Sequence, residues 1–367
     1  AMDAGIDGAM LGDVTEAELG EWGVTSSFHK KKFLREISSF VESAKRQQRT
    51  RRLLSAGSRW PSGRKDSATM LEVNIEAVED LELLAVLQQL CTAEDASNFG
   101  KGRDWGGGAH KGAPRVARAW HIDNQALDSS YHSGVLGVNR TCGDKPPQTL
   151  RLKPHFEAAC EALSAREKKP LRSEINEKFL LHAPSQAAMH SILHSGFNEH
   201  FAGSNAGTAF GEGCYFADDI AKTDQYARVD SAYQGSELHE DLYPNGDHPG
   251  DVYYVLVSRV VLGHSIEATS AGKRNKPWFA LGGTNTKELA NIPNVTPPTP
   301  YHSLLGTAYP RFREFIIFKP RLYVRPLYLI AYCRGGPEPP WVPLLTEQRV
   351  MEKMAAEETR IQRGGAG

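Results

Sequence analysis

The sequence predicts an α+β protein with antiparallel sheets, preceded by a small helical segment. Short strand patterns are separated by irregular stretches, and regular crossover helices, which parallel strands require, do not alternate with them. With 367 residues the chain is long enough for a large core and for more than one domain.

Residues 1–45 form the predicted helical segment. Thr15 and Glu18 have the spacing of a capping box, and Phe33, Ile37 and Phe40 recur at helical intervals. The run VTEAELGEWGVTSSFHKKK resembles the second half of a sterile alpha motif domain. Two interpretations stay open, namely a helical pair that packs on the following domain and a module that self-associates.

Residues 46–68 are predicted to be a basic linker. Lys45 begins a run of eight basic residues that ends before Asp66, the first acidic residue of this stretch. Such a run suits a solvated linker, and it also suits binding to nucleic-acid phosphates or to nuclear-import receptors.

Several elements are expected before the central stretch of the chain. The leucines within 71–91 predict a buried helix, and the glycine-rich loop 98–114 lacks the strand and helix that a dinucleotide-binding loop needs. PRVARAWHID alternates with period two and predicts a strand, and NQALDSSYH predicts a short helix. The polar stretch 134–172 is expected to be an insertion with a surface helix, FEAACEALSARE.

The central stretch 179–226 carries the most distinctive pattern. An apolar strand ends on His182, a helix runs from Ser185 to a stop at Gly196, and a second helix is expected over 218–226. Between the helices, FGEGCYFA predicts a turn whose glycines allow close backbone approach.

The C-terminal third is predicted to contain mainly strands and loops. Residues 229–250 are expected to be irregular, DVYYVLVSRVVLG a strand, and 273–299 a binding rim. REFIIF and LYLIAYC are the last strand patterns, and TEQRVMEKMAAEETRIQ is expected to be an exposed helix.

The central motifs resemble the catalytic core of the poly(ADP-ribose) polymerase family, the tankyrase-like branch included. The matching residues are His182, Phe210, Gly211, Gly213, Tyr215, Phe216, Ala217, Thr223 and Tyr226, with Glu314 in YPRFREFIIF as the late carboxylate. The resemblance implies an ADP-ribosyltransferase fold with antiparallel sheets around an NAD cleft over residues 69–335, followed by a helical tail over 336–367.

The resemblance also implies a role for each matching residue. The catalytic residues would be His182, Tyr215 and Glu314, and NAD would be bound by His182, Ala183, Ser185, Tyr215, Phe216, Ala217, Thr223 and Tyr226. Glu314 would bond the 2′-hydroxyl of the nicotinamide ribose and stabilise an oxocarbenium-like state. Tyr226 and Tyr215 would lie on either side of the nicotinamide ring, and Thr223 would bond its carboxamide.

Two residues depart from the family pattern. Ala183 stands where the family has Gly, so its backbone can still bind the carboxamide if its φ is negative. Pro184 stands where Ser or Thr is usual, and Ser185 is the candidate replacement on the adenosine side.

Composition limits which other classes of protein and of binding site the sequence allows. Lys and Arg (43) nearly balance Asp and Glu (44), and no apolar run reaches the roughly 18 residues of a membrane span. We therefore expect an intracellular protein, nuclear or cytoplasmic. Five dispersed cysteines support neither disulfides nor a zinc site. His190 and His194 are four residues apart, but no third ligand is evident, so no metal is expected.

The predicted function is transfer of ADP-ribose from NAD, with release of nicotinamide, to a macromolecular acceptor. The acceptor would be a protein, the chain itself included, or a nucleic acid, and Glu314 would permit polymer synthesis. Two alternatives stay open. One is an inactive NAD- or ADP-ribose-binding scaffold, and the other is an NAD glycohydrolase that uses water as acceptor.

Overall fold

The computed structural model describes residues 73–100, 112–199, 208–272 and 275–364. The predicted helical segment 1–45, the basic linker 46–68 and most of the glycine-rich loop lie outside these residues. So does most of the loop from Asn198 to Thr208.

The helices of the described residues are α1 (Leu81–Leu90), α2 (Gln125–Asp144), α3 (Pro154–Arg166), α4 (Gln186–Ser195), α5 (Ile220–Thr223), α6 (Glu237–Leu242), α7 (Ala280–Gly283), α8 (Pro320–Tyr323) and α9 (Trp341–Gly364). Short 3₁₀ turns occur at Ala96–Asn98 and Ser173–Ile175. The strands are β1 (Val73–Ala77), β2 (Pro114–Asn124), β3 (Glu177–His182), β4 (Cys214–Phe216), β5 (Tyr253–Val261), β6 (Ser265–Ala268), β7 (Asn285–Leu289), β8 (Ser303–Gly306), β9 (Glu314–Ile317) and β10 (Val324–Arg334).

The larger sheet has five strands in the order β1-β2-β10-β5-β3, and all neighbours are antiparallel. Its inner strands β5 and β10 are buried along nearly their whole length. The apolar stripes of α1 and α3 contribute Leu87 and Phe156 to the same core. Burial of these apolar side chains is the main force that stabilises this half of the fold.

The smaller sheet has four strands in the order β4-β9-β8-β6. β6 and β8 are parallel, so the expectation of purely antiparallel sheets is wrong for this pair. The two sheets meet where Leu181 of β3 and Ala217, just after β4, exchange backbone hydrogen bonds of 2.9 and 3.0 Å. This junction aligns the end of β3 with β4, and the candidate site is built around it.

The structure corrects the prediction for the region before the central stretch. β1 occupies the beginning of the region that was predicted to be helical, and α1 begins only after Asp80, whose carboxylate accepts from Leu83 N. The helix after β2 is α2, which continues to Asp144 through part of the predicted insertion. The glycines in this helix weaken its sequence signal, because glycine has a low helix propensity. Tyr131, Val135 and Val138 nevertheless form a buried stripe along it.

Further corrections concern the C-terminal third. The stretch predicted to be irregular contains α6, and the predicted rim loop contains β7. The tail helix α9 begins at Trp341, before the predicted run, and its described residues from Thr346 to Lys353 are mostly exposed as expected. Its first turn is anchored, because the Trp341 indole N–H donates to the Val116 carbonyl oxygen at 2.8 Å.

The strands that the sequence predicted most clearly, β2, β3, β5 and β10, are confirmed. Among the described residues, no helix is both long enough and apolar enough to cross a bilayer. The five cysteines are free thiols.

Candidate active site

His182 is the last residue of β3 and is fixed by the neighbouring strand. Its Nδ1 donates to the carbonyl oxygen of Tyr215 at 2.8 Å, and its ring packs against Phe197 and Phe216 at centroid distances of 5.1 and 5.2 Å. Burial lowers the pKa of the imidazole, although the Tyr215 carbonyl works in the other direction. The ring is therefore neutral near pH 7, with Nε2 as a hydrogen-bond acceptor.

Tyr215 lies in β4, opposite Ile316 of β9. Its hydroxyl accepts from Phe210 N at 2.9 Å and donates to the Gly211 carbonyl oxygen at 2.8 Å. Burial raises the pKa of this phenol, and the Glu314 carboxylate adds to the rise. The phenol therefore stays protonated and held by the loop, which suits ring stacking and not acid–base catalysis.

Gly213 explains how β4 can lie so close to β9. A Cβ at this position would lie 2.6 Å from Ile316 Cγ2 and 2.9 Å from the Ile317 carbonyl oxygen. Gly213 is therefore required for the close packing of β4, which carries Tyr215, on β9, which begins at Glu314.

Glu314 opens β9 opposite Gly306 and is only 5% exposed. Its carboxylate forms an ion pair with Lys222, with Oε1 and Nζ 2.8 Å apart. Burial lowers the pKa of Lys222, but Glu314 and Tyr226 outweigh it and the net shift is upward. Lys222 is therefore protonated near neutral pH, and its ammonium group fixes the Glu314 carboxylate in a largely dry setting.

Lys222 also connects Glu314 to Tyr226. Its ammonium group lies 3.4 Å from the Tyr226 hydroxyl and 5.3 Å from the centre of that ring. Sequence reasoning missed Lys222. The feature of the sequence that could have pointed to Lys222 as a site residue is its position directly before Thr223, on the same helical turn.

Thr223 ends the single turn α5, so the helix predicted over 218–226 is shorter than expected. Its Oγ1 donates to the Ile220 carbonyl oxygen at 3.1 Å, which leaves lone pairs to accept from an amide N–H. A backbone bond of 3.0 Å from Tyr226 N to Thr223 O keeps the two residues on one turn.

The remaining predicted site residues have different surroundings. Ala183 is 8% exposed and is not among the residues with positive φ, so the methyl group causes no backbone strain there. Ser185 is the N-cap of α4 and accepts from Ala188 N at 3.4 Å. Phe216 and Ala217 are each 1% exposed, so their side chains support the site from the core.

One expected neighbour of Glu314 is elsewhere. Strand alternation continued back from Glu314 would put Phe312 on the same face as Ile316 and Phe318, but Phe312 packs in the larger core and the other two pack in the smaller one. The reason is that β9 begins only at Glu314, so the strand alternation does not extend back to Phe312.

Ion pairs and a hydrogen bond to three buried carboxylates fix the segment between Ala217 and Tyr226, and sequence reasoning missed them. Asp218 is paired with Arg313, whose side chain thereby anchors the residue before Glu314. Asp219 accepts from Lys153 Nζ at 2.7 Å, and Asp224 accepts from the Tyr332 hydroxyl at 2.7 Å. These partners lie far apart in sequence, so only the fold reveals them.

A sequence profile of the poly(ADP-ribose) polymerase catalytic domain matches residues 128–334. This span is more than half of the chain and includes every residue of the site described above. The chain belongs to the poly(ADP-ribose) polymerase catalytic-domain family. A comparison with curated proteins found no match. In general, a poly(ADP-ribose) polymerase domain implies ADP-ribosyltransferase chemistry that uses NAD as substrate and needs no metal.

The described residues of this poly(ADP-ribose) polymerase domain also contain two groups of potential metal ligands away from the site. They are His190, His194 and Asp241, and Asp230, His239 and His248, with the ligand atoms of each group within 4.8 Å of one another. The prediction that His190 and His194 have no third ligand beside them is therefore wrong, because the fold brings Asp241 of α6 to α4.

Proposed function

We propose that this chain cleaves the nicotinamide–ribose bond of NAD, releases nicotinamide and transfers ADP-ribose to a macromolecular acceptor. The observation that carries the proposal is the buried carboxylate of Glu314, which is ion-paired with Lys222 at 2.8 Å. Lys222 in turn contacts the Tyr226 ring, and the electrostatic influence of Glu314 reaches the Tyr215 phenol.

The chemistry needs a negative charge beside the ribose. When the bond from the ribose carbon to the pyridinium nitrogen breaks, its electron pair goes to nitrogen, so nicotinamide leaves as a neutral molecule without needing a proton. The ribose develops an oxocarbenium-like positive charge, which a nearby carboxylate stabilises. Because Glu314 is largely shielded from water, this interaction would be stronger than in bulk solvent.

The other site residues suit binding and orientation. His182 offers Nε2 as an acceptor for a ribose hydroxyl, since its Nδ1 hydrogen is used by the Tyr215 carbonyl. Thr223 can accept from the carboxamide, and the rings of Tyr215 and Tyr226 can cover the two faces of nicotinamide. The negative φ at Ala183 supports NAD binding, since the methyl group leaves the backbone groups available.

The proposal extends to the acceptor and to the branch of the family. Glu314 would permit polymer synthesis by orienting the incoming hydroxyl. The acceptor would be a protein, the chain itself included, and the loop 198–208 would shape the acceptor site. On the motif resemblance we place the chain near the tankyrase-like branch, with an intracellular location in the nucleus or cytoplasm. The stretches 1–45 and 46–68 would serve self-association and nucleic-acid binding.

Incubation with NAD labelled on the adenylate tests the proposal. We expect nicotinamide release together with label on a macromolecule, seen on a gel as a sharp band for single units or as a smear for polymer. Absence of nicotinamide release at millimolar NAD would identify an inactive scaffold. Release of free ADP-ribose without labelled macromolecules would identify a glycohydrolase. Either of these two results would overturn the proposal.

A further inference from the structure

Two packed helices bring four potential metal-binding side chains together. His190 and His194 are four residues apart on α4, and Glu237 and Asp241 are four residues apart on α6. Residues at this spacing share one face of a helix, and paired histidines at i and i+4 are a known arrangement for zinc. The facing helix supplies carboxylates, which complete a set that neither helix has alone.

Distances within this group are close to those of a coordination shell. Asp241 Oδ2 lies 2.8 Å from His194 Nε2 and 3.4 Å from His190 Nε2, and the two imidazole rings are 4.4 Å apart. In a tetrahedral zinc site with bonds of about 2.0–2.2 Å, neighbouring ligand atoms are roughly 3.3 Å apart. Small side-chain rotations would therefore suffice to surround an ion.

Glu237 favours the required tautomer of His190. Its Oε2 lies 3.4 Å from His190 Nδ1, so a hydrogen on Nδ1 would be oriented toward the carboxylate and Nε2 would keep its lone pair. Histidine ligands of metals typically have such an outer carboxylate. His194 would bind through Nε2 after its proton moves to Nδ1, so the imidazole stays neutral.

The second group, Asp230, His239 and His248, differs in the tautomers of its histidines. Backbone N–H groups of Gln234 and Gly250 donate to Nδ1 of His239 and His248 at 2.9 and 3.2 Å, so each Nε2 must carry the hydrogen. His239 Nε2 donates to Asp230 at 2.7 Å. In this tautomer neither imidazole has a free ring lone pair for a metal, so we assign no ion to this group.

We propose that His190, His194 and Asp241 bind one Zn²⁺ or a similar first-row divalent ion, with water as the fourth ligand. The side chains of His190, His194 and Asp241 are 20%, 37% and 26% exposed, which gives an ion and a water access. Two neutral imidazoles, Asp241 and the outer Glu237 together balance the charge of the ion. The site is structural and clamps α4, which begins next to the NAD cleft, to α6.

Metal titration of the tag-free, chelator-treated full chain tests the site without NAD. We expect one equivalent of Zn²⁺ by calorimetry and a visible absorption band of four-coordinate Co²⁺. Asp241→Asn and His194→Ala should each weaken Zn²⁺ binding at least 100-fold. Glu237→Ala should weaken it about 10- to 100-fold, the range for outer partners of metal ligands. The control His132→Ala, at an exposed position of α2, should bind like the parent chain.

The same experiment can overturn the assignment. Absence of a one-equivalent binding step in the parent chain would do so, as would equal binding by the parent and Asp241→Asn. Loss of binding in His248→Asn with retention in Asp241→Asn would move the ion to the other group and contradict the tautomer argument. Circular dichroism and thermal unfolding of each metal-free variant identify any that fail to fold. Because no readout involves NAD, this result is independent of the proposed transferase activity.

Discussion

At the scale of single residues, the ion pair of Lys222 and Glu314 dominates the candidate site. The two side chains are 14% and 7% exposed, so both charges have lost most of their contact with water. A buried pair contributes little net stability relative to an apolar pair, but removal of one partner leaves an uncompensated charge. The pair therefore makes the position of the carboxylate depend on the lysine.

Replacement of Lys222 by Met tests this dependence. We expect the free energy of unfolding to fall by about 3 kcal/mol, the scale for breaking a buried ion pair. The double variant Lys222→Met/Glu314→Gln should recover much of that loss, since the orphan charge is gone. Urea denaturation at pH 7 measures both. Equal destabilisation in the single and double variants would show that loss of packing, and not charge, causes the effect.

Tyr226 gives a second residue-scale prediction. Tyr226→Ala removes the ring proposed to stack on nicotinamide and should weaken NAD binding by about 3- to 10-fold, since an aromatic pair is worth roughly 0.5–1.5 kcal/mol. Tyr226→Phe keeps the ring and loses only the hydroxyl contact with Lys222, so NAD affinity should stay within about two-fold. Calorimetric titration with NAD compares the two. Equal weakening in both variants would assign the effect to the hydroxyl and contradict stacking.

At the scale of elements, the helix α2 depends on one glycine for its close packing. A Cβ at Gly134 would overlap the carbonyl oxygen of Leu322 in α8, whereas a Cβ at Gly137 would meet no atom within 4 Å. The two glycines lie one turn apart on the same helix, so they form a matched pair. Gly134 is required by packing, whereas Gly137 is not and only lowers the helix propensity of α2.

Alanine substitutions at these two positions should have opposite effects. Gly137→Ala should raise the free energy of unfolding by roughly 0.5–1 kcal/mol through helix propensity. Gly134→Ala should lower it by about 1–3 kcal/mol, the usual cost of overpacking. Thermal or urea unfolding of both variants provides the measurement. A stabilised Gly134→Ala variant would contradict the close contact between α2 and α8.

Elements with strong local patterns could be predicted from the sequence, and those defined by tertiary contacts could not. The apolar runs of β3, β5 and β10 and the Ser185 cap of α4 are local signals, and all four elements are present. β1 is only five residues long and directly precedes the leucine-rich helix pattern, so its short alternation of Val73, Ile75 and Ala77 with polar residues becomes a strand only through its pairing with β2. Lys222 as the partner of Glu314, and Asp241 beside His194, arise from chain segments that only folding brings together.

At the scale of the whole molecule, stability should depend on pH through buried histidines. His302 is 4% exposed, and its Nδ1 accepts from His264 N at 3.0 Å. Burial lowers the pKa of His302 to about 4, and the neighbouring His264 and Lys319 contribute in the same direction. In the unfolded chain its pKa is about 6.5. The unfolded state therefore binds more protons between these two values.

The sign of the effect follows from linkage. The free energy of unfolding should be highest above pH 6.5 and should fall as the pH drops from 6.5 to 4, by about 3 kcal/mol for this residue. His302→Asn retains an acceptor for His264 N and cannot titrate, so its pH profile should be flatter by about that amount. Urea unfolding at intervals between pH 7 and pH 4 tests this. Parallel profiles for the two proteins would contradict it.

The site itself is a property of the whole molecule, since β3, β4, α5 and β9 all contribute to it. His182 is bonded to Tyr215, and Glu314 is bonded to Lys222, which contacts Tyr226. The central claim is that these residues, distant along the chain, act on one NAD molecule. Glu314 is proposed to act on the reacting ribose and not to provide the main binding energy.

Nicotinamide release by Glu314→Gln at saturating NAD, together with its NAD affinity, tests this claim most directly. Glu267→Gln, at an exposed glutamate of β6 in the same sheet, is the control. We expect the Glu314 variant to lose at least about 100-fold in turnover, as when a group that stabilises transition-state charge is removed. Its NAD affinity should stay within a few-fold of the parent chain. Turnover equal to that of the parent chain and the control would contradict the account.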